Sequence, residues 1–140
     1  MKKIVFVCLG NICRSPMAEF VMKSLTDQLK IESRATSSWE HGNPIHRGTH
    51  AIFKKYAISY DRNKTSQQIS AADFADFDYV IGMDESNVRD LKRMAPEDFQ
   101  HKIYQFEEES VPDPWYTGDF DQTYDLVLAG CKKWLERLDG

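Results

Sequence analysis

The chain has 140 residues, 41% of them hydrophobic and 29% charged, an ordinary balance for one globular domain with a buried core. A net charge of −4, with no basic run longer than a pair, argues against a nucleic-acid-binding surface. No apolar stretch approaches the roughly 18 residues of a membrane-spanning helix, and three cysteines, an odd count, fit free thiols better than a disulfide framework.

Met1-Lys2-Lys3 followed by apolar residues mimics the start of a signal peptide. The apolar run stops after about four residues, short of the ~7–15 that such a segment needs, so a first strand and a cytoplasmic location are expected. Ile4–Val7 is apolar throughout, which suits a central strand covered on both faces. Ser15-Pro16 marks a helix start, because serine can cap free amides and proline is pre-set for the first helical position. The helix is predicted from Met17 to about Leu29, with an apolar face at Met17, Val21, Leu25 and Leu29.

Ile31–Ser37 is a weaker strand candidate, followed by a loop from Ser38 to Arg47 and a helix over Gly48–Tyr56. Tyr79–Met83 reads as a third strand and Glu85–Met94 as the next helix; Ile103–Phe106 is a short fourth strand. In the last helix Tyr124, Val127, Leu128, Cys131, Trp134, Leu135 and Leu138 share one face. Strands alternating with helices predict a single α/β domain over residues 1–140, a three-layer sandwich whose four-stranded, mostly parallel sheet is flanked by helices.

Between the first strand and the first helix lies CLGNICRSP, too long and too polar for a turn alone. Ligands of open parallel sheets bind at the carboxyl ends of strands, beside helix N-termini whose free amides and dipole attract anions. Gly10 lets the backbone curl closely, and Asn11 is one of the few non-glycine residues that tolerate a left-handed conformation. Leu9, Gly10, Asn11, Ile12, Cys13, Arg14 and Ser15 would then form a phosphate-binding loop, a ring of amides around an anion. Arg14 adds a planar fork suited to two phosphate oxygens. Cys8, at the strand end, would lie beneath that anion. Helix N-termini and nearby cations favour the thiolate over the thiol, and the thiolate is the nucleophile.

Cys8, five intervening residues, Arg14 and Ser15 match the C-x5-R-S signature of protein tyrosine phosphatases. VFVCLGNICRSPMAE, so near the N-terminus, resembles the low-molecular-weight protein tyrosine phosphatase family in particular. FDYVIGMDESNVRDL is similar to that family's third strand and following helix, and VPDPWY to its acid loop. The resemblance implies hydrolysis of phosphotyrosine in a protein substrate through a phosphocysteine on Cys8, with inorganic phosphate as product. Arg14 would be the phosphate clamp and Asp113 the general acid, then the base for water. Ser15 would donate its hydroxyl to the Cys8 thiolate, Asn11 would brace the loop with Ser33 as its partner, and Trp39, Trp115 and Tyr116 would line the substrate slot. No cofactor or metal is implied. Two positions depart from the family pattern: Trp115 stands where a tyrosine is usual, and Asn63-Lys64 where a histidine often precedes a Gln-Ile pair.

Glu107, Glu108 and Glu109 would favour a protonated Asp113 by like-charge repulsion. Plainer readings stand beside these roles. Cys8 and Cys13 could be small core residues, Asp113 a turn aspartate before proline, and Trp115 and Tyr116 rim packing. His41, His46 and His50 are close in sequence, but their spacing fits no common zinc pattern. Cys131 falls on the apolar face of the last helix, and Asp84 suits either bracing the site or capping a helix.

Arsenate reduction, a rival reading, uses a similar anion loop but needs further cysteines, and none lies between Cys13 and Cys131. A phosphate- or phosphopeptide-binding module without turnover would not require Asp113, and sulfur transfer fits less well. Cys13 is not needed for phosphate chemistry. Its place in the same loop as Cys8 suggests a resolving role, capturing an oxidised Cys8 as a disulfide.

Overall fold

The computed structural model describes residues 1–138. Four strands, β1 (Lys2–Cys8), β2 (Leu29–Ala35), β3 (Tyr79–Gly82) and β4 (Ile103–Gln105), form one sheet in the order β2-β1-β3-β4, and every pairing is parallel. Between and after them run α1 (Arg14–Leu25), α2 (Arg47–Lys55), α3 (Ala71–Asp76), α4 (Glu85–Met94), a 3-10 turn at Glu97–Lys102, α5 (Pro114–Thr117) and α6 (Phe120–Leu138). Among the described residues no helix is long and apolar enough to cross a membrane.

The unbroken apolar run of β1 follows from its place inside the sheet. Successive side chains point to opposite faces. Ile4, Phe6 and Cys8 enter one core, with Met17 and Val21 of α1 and Val127, Cys131 and Trp134 of α6. Val5 and Val7 enter a second core with Phe74, Leu91 and Ile103 on the opposite face. Phe6 is fully buried and meets Phe106 edge-to-face at 5.9 Å. A ring so placed typically costs ~3–5 kcal/mol when truncated to alanine.

From β1 the chain crosses to β2 on one side, then returns past β1 to β3 on the other. Such a reversal opens a crevice at the carboxyl ends of the strands. The loop after β1 occupies it.

The first helix departs from expectation at both ends. Its N-cap is Cys13, which makes no side-chain capping bond, and Ser15 lies inside the helix rather than before it. The Ser15 hydroxyl is turned to the Cys8 sulfur instead. At the other end α1 stops at Leu25, and Leu29 is the first residue of β2, opposite Lys2. Ser24 returns its hydroxyl to the Val21 carbonyl and Thr26 accepts from the Gln28 amide, local bonds that compete with helix continuation. The short α3 was not expected, although Ser70 and Asp73 form a complete capping box around its start.

Candidate active site

The loop from Cys8 to Cys13 is shaped by where its carbonyls go. Cys8 O accepts from the Thr36 amide (2.9 Å), Leu9 O from the Ser37 amide and hydroxyl, and Gly10 O from the Ser66 hydroxyl (2.7 Å). Ile12 O accepts from the His46 amide (2.9 Å), and Cys13 O from the Met17 amide and the Thr49 hydroxyl. With these carbonyls bonded to the surrounding protein, the amides are left facing the cleft. Among the described residues those of Leu9, Gly10, Ile12 and Cys13 donate to no protein acceptor. A row of unpaired amides at the start of α1 is an anion cradle.

Asn11, not Gly10, supplies the left-handed turn, at φ 56°. Its side chain explains why asparagine holds that conformation. Nδ2 donates to Ser15 Oγ (2.8 Å) and Ser33 Oγ (3.0 Å), and Oδ1 accepts from the Gln67 amide (3.1 Å). The buried Cys8 sulfur lies 3.0 Å from Ser15 Oγ and accepts the Asn11 amide at 3.3 Å. The Asn11 amide thus points its proton at the sulfur, and the Ser15 hydroxyl lies within hydrogen-bond reach of it.

The bracing continues into the core. Ser33 donates to Glu19 Oε1 at 2.6 Å, and Glu19 is 2% exposed. Lys64 meets the same Glu19 oxygen at 3.2 Å and donates to the Ser33 carbonyl at 3.0 Å, while Lys23 meets Glu19 Oε2 at 2.7 Å. Lys64, at the position where the sequence departs from the family pattern, thus closes the network with a full positive charge. Glu19 gives no motif in the sequence. An acidic residue inside an amphipathic helix reads as surface until its partner on a distant loop is known.

Arg14 is buried, and its Nη1 is fixed by Asp84 Oδ2 (2.6 Å) and the Val111 carbonyl (3.0 Å). Its Nη2 lies 3.4 Å from Asp113 Oδ2. Burial works against the guanidinium charge, but the Cys8 sulfur, the Asp84 hydrogen bond and the carboxylates of Asp113 and Asp84 outweigh it and raise the Arg14 pKa. Asp84 serves both roles open in the sequence: Oδ1 caps α4 through the Asn87 amide at 2.6 Å, and Oδ2 braces Arg14. Asp113 caps α5, with Oδ1 accepting the Trp115 amide at 3.0 Å. The charged partner that the structure gives Asp113 is Arg14, while Glu107 pairs with Lys133 at 3.0 Å.

These groups line one cleft of about 690 Å³, counting its open mouth, with Cys8, Cys13 and Arg14 at the base and Asp113 on the wall. Trp39, Trp115 and Tyr116 form its rim, 79%, 56% and 78% exposed, which leaves aromatic surface open to a flat substrate. Sequence reasoning missed Glu40, which also lines the cleft. Ser33 lies outside the cleft and acts on it through Asn11.

Cys13 lines the cleft beside Cys8, its thiol pushed up to about 12 by burial, then by the negative charges of Cys8 and Asp113. Cys131 is buried under α1, its sulfur 3.7 Å from the Ala18 carbonyl, and burial raises its pKa. The three neighbouring histidines are separately engaged or exposed: His46 Nδ1 accepts the Gly48 amide, His50 Nδ1 pairs with the Tyr60 hydroxyl, and His41 faces solvent.

A family model described as low molecular weight phosphotyrosine protein phosphatase matches residues 3–140. The low molecular weight protein-tyrosine-phosphatase PtpA of Staphylococcus aureus (strain Newman) is 45% identical over 141 residues, covering 94% of this chain and 90% of that protein. The crystal structure of SP-PTP, low molecular weight protein tyrosine phosphatase from Streptococcus pyogenes, matches with a TM-score of 0.97 at 62% identity, covering 99% of this chain and 93% of that one. YfkJ from Bacillus subtilis matches with a TM-score of 0.91 at 38% identity, covering 99% and 95% respectively. The chain therefore belongs to the low molecular weight phosphotyrosine protein phosphatase family and is a cysteine-dependent phosphotyrosine phosphatase.

Proposed function

We propose that Cys8 is the nucleophile, Arg14 the phosphate clamp and Asp113 the general acid and base. The observation that carries this assignment is the position of the Cys8 sulfur at the base of an amide cradle whose carbonyls are bonded elsewhere. A phosphoryl group seated on those amides and Arg14 presents its phosphorus to sulfur and its ester oxygen to the mouth, where Asp113 stands. Sulfur attacks phosphorus as the bond to the phenolic oxygen breaks, and Asp113 gives that oxygen a proton. Asp113 then takes a proton from water, whose oxygen attacks the phosphocysteine. Phosphate leaves and the Cys8 thiolate is restored. Ser15 Oγ and the Asn11 amide stabilise sulfur as it departs from phosphorus, so the leaving thiolate is never bare.

The exposed rings of Trp39, Trp115 and Tyr116 support a slot for the aromatic ring of a phosphotyrosine-containing protein. The continuous family match supports a single working domain over residues 1–140, and three free cysteines support a reducing, cytoplasmic setting. Replacing Cys8 with serine tests the assignment. Turnover of 4-nitrophenyl phosphate should vanish while inorganic phosphate still binds, because the cradle and Arg14 remain. A variant retaining even a few per cent of wild-type turnover excludes Cys8 as nucleophile.

A further inference from the structure

We infer that His46 is a positioning residue that couples the acid loop to the phosphate-binding loop, an inference that rests on Asp113 being the acid. His46 lies at the start of α2, and two different parts of it are engaged. Its backbone amide donates to the Ile12 carbonyl at 2.9 Å, one of the bonds that turn the cradle amides inward. Its ring stacks on Phe120 at 5.2 Å and 12°, and meets Trp115 edge-on at 5.5 Å and 75°.

Trp115 is two residues from Asp113, and its amide is the donor that holds Asp113 Oδ1 at 3.0 Å. A line of contact therefore runs from the cradle through His46 and Trp115 to the acid. Phe120, the first residue of α6, secures the other face of the ring. It lies so close to α2 that a Cβ on Gly48 would come within 2.4 Å of its ring, so the lack of a side chain there permits the stack.

Capping alone does not account for histidine here. His46 Nδ1 accepts the Gly48 amide at 3.0 Å, but serine, threonine, aspartate or asparagine would cap α2 at least as well. What histidine adds is a flat ring that packs against both Trp115 and Phe120, while one of its nitrogens serves the cap. Because the contact acts on the acid and not on the cradle, its loss should appear where a proton is needed most.

Two variants separate the functions. His46→Asn keeps a capping acceptor and removes the ring, whereas His46→Phe keeps a ring and removes the acceptor. The readout is kcat/KM across aryl phosphates whose leaving groups run from 4-nitrophenol to phenol, with Asp113→Asn as reference. His46→Asn should lose roughly 10-fold or more on phenyl phosphate and less than about 3-fold on 4-nitrophenyl phosphate. His46→Phe should keep the wild-type leaving-group dependence with a lower melting temperature. A wild-type dependence in His46→Asn, alongside a steepened one in Asp113→Asn, overturns the inference. An unsteepened Asp113→Asn instead overturns the acid assignment beneath it. If His46→Asn does not fold, Phe120→Leu removes the stacked ring alone and should steepen the dependence in the same way. A wild-type dependence in that variant also overturns the inference.

Discussion

The Asp84 carboxylate holds the Arg14 guanidinium at 2.6 Å while its second oxygen caps α4 on the Asn87 amide. The clamp is thereby oriented by the residue that caps α4, two positions beyond the end of β3. Arg14→Lys should lower kcat/KM by roughly 10³-fold or more, since a point charge cannot reproduce the two-pronged contact. Asp84→Asn leaves a capping acceptor but removes the negative charge that faces Arg14, and is expected to cost roughly 10-fold in kcat/KM with a small loss of melting temperature. Steady-state kinetics on 4-nitrophenyl phosphate separates the two; equal losses would mean that Asp84 acts on more than Arg14.

Lys64 and Glu19 form a buried ion pair behind the loop, and removing either partner leaves a buried charge with less compensation. Lys64→Ala should destabilise the protein by roughly 1–3 kcal/mol in urea unfolding. It should also lower kcat/KM, because Glu19, which accepts the Ser33 hydroxyl behind Asn11, loses one of its two lysines. Because Lys23 still faces Glu19, the effect should be smaller than that of Glu19→Ala, which removes the carboxylate shared by both lysines and the Ser33 hydroxyl.

Cys13 bears on redox behaviour. With its thiol pushed up to about 12, it stays protonated at neutral pH, whereas sulfur at the cradle base is the group that peroxide should oxidise first. Peroxide converts Cys8 to the sulfenic acid with release of water. In a resolving role Cys13 would attack the sulfenic sulfur, its thiol proton leaving with the displaced hydroxide as a second water, to give a disulfide. Cys13→Ser should therefore keep much of its activity but lose most of its recovery by dithiothreitol after peroxide. Intact mass decides the matter: the oxidised wild type should lose two hydrogens, and retained oxygens would count against a resolving role.

Alkaline stability should carry the signature of Cys131. Its ordinary pKa of 9.0 is raised by burial in the fold, so the unfolded chain releases this proton at a lower pH than the folded one. The native state binds more protons above about pH 9, and stability must fall as pH rises through that window. Each such thiol contributes a slope of ~1.4 kcal/mol per pH unit. Cys131→Ala should be less stable at pH 7 yet show a shallower alkaline slope, by about that amount, in denaturant titrations from pH 9 upward. An unchanged slope would place the Cys131 proton loss elsewhere.

The parts of this protein that were legible in its sequence are those whose signal is local. The apolar run of β1, the loop that follows, the Asp-Pro of the acid loop and the period of α6 each lie within a few consecutive residues. The end of α1 was misread because Leu29 continues the helical spacing by coincidence and owes its apolarity to the sheet. Ser15 was placed as a cap because Ser-Pro usually opens a helix, but the thiol of Cys8 claims its hydroxyl. The contacts of Glu19, Lys64 and His46 stayed hidden for one reason. Each acts through partners 14 to 74 positions away, as in Ser33 to Glu19 or His46 to Phe120, which no local pattern encodes.

The covalent step is the centre of the account, and rapid acid quench during the pre-steady-state burst tests it most directly. Asp113→Ala mixed with excess 4-nitrophenyl phosphate should accumulate phosphoenzyme, because the activated leaving group departs without a proton while water attack lacks its base. Digestion and mass spectrometry should then find one phosphoryl group on the peptide containing Cys8. Nitrophenol released in a burst with no phosphorylated Cys8 peptide, or with phosphate on another residue, would contradict the assignment.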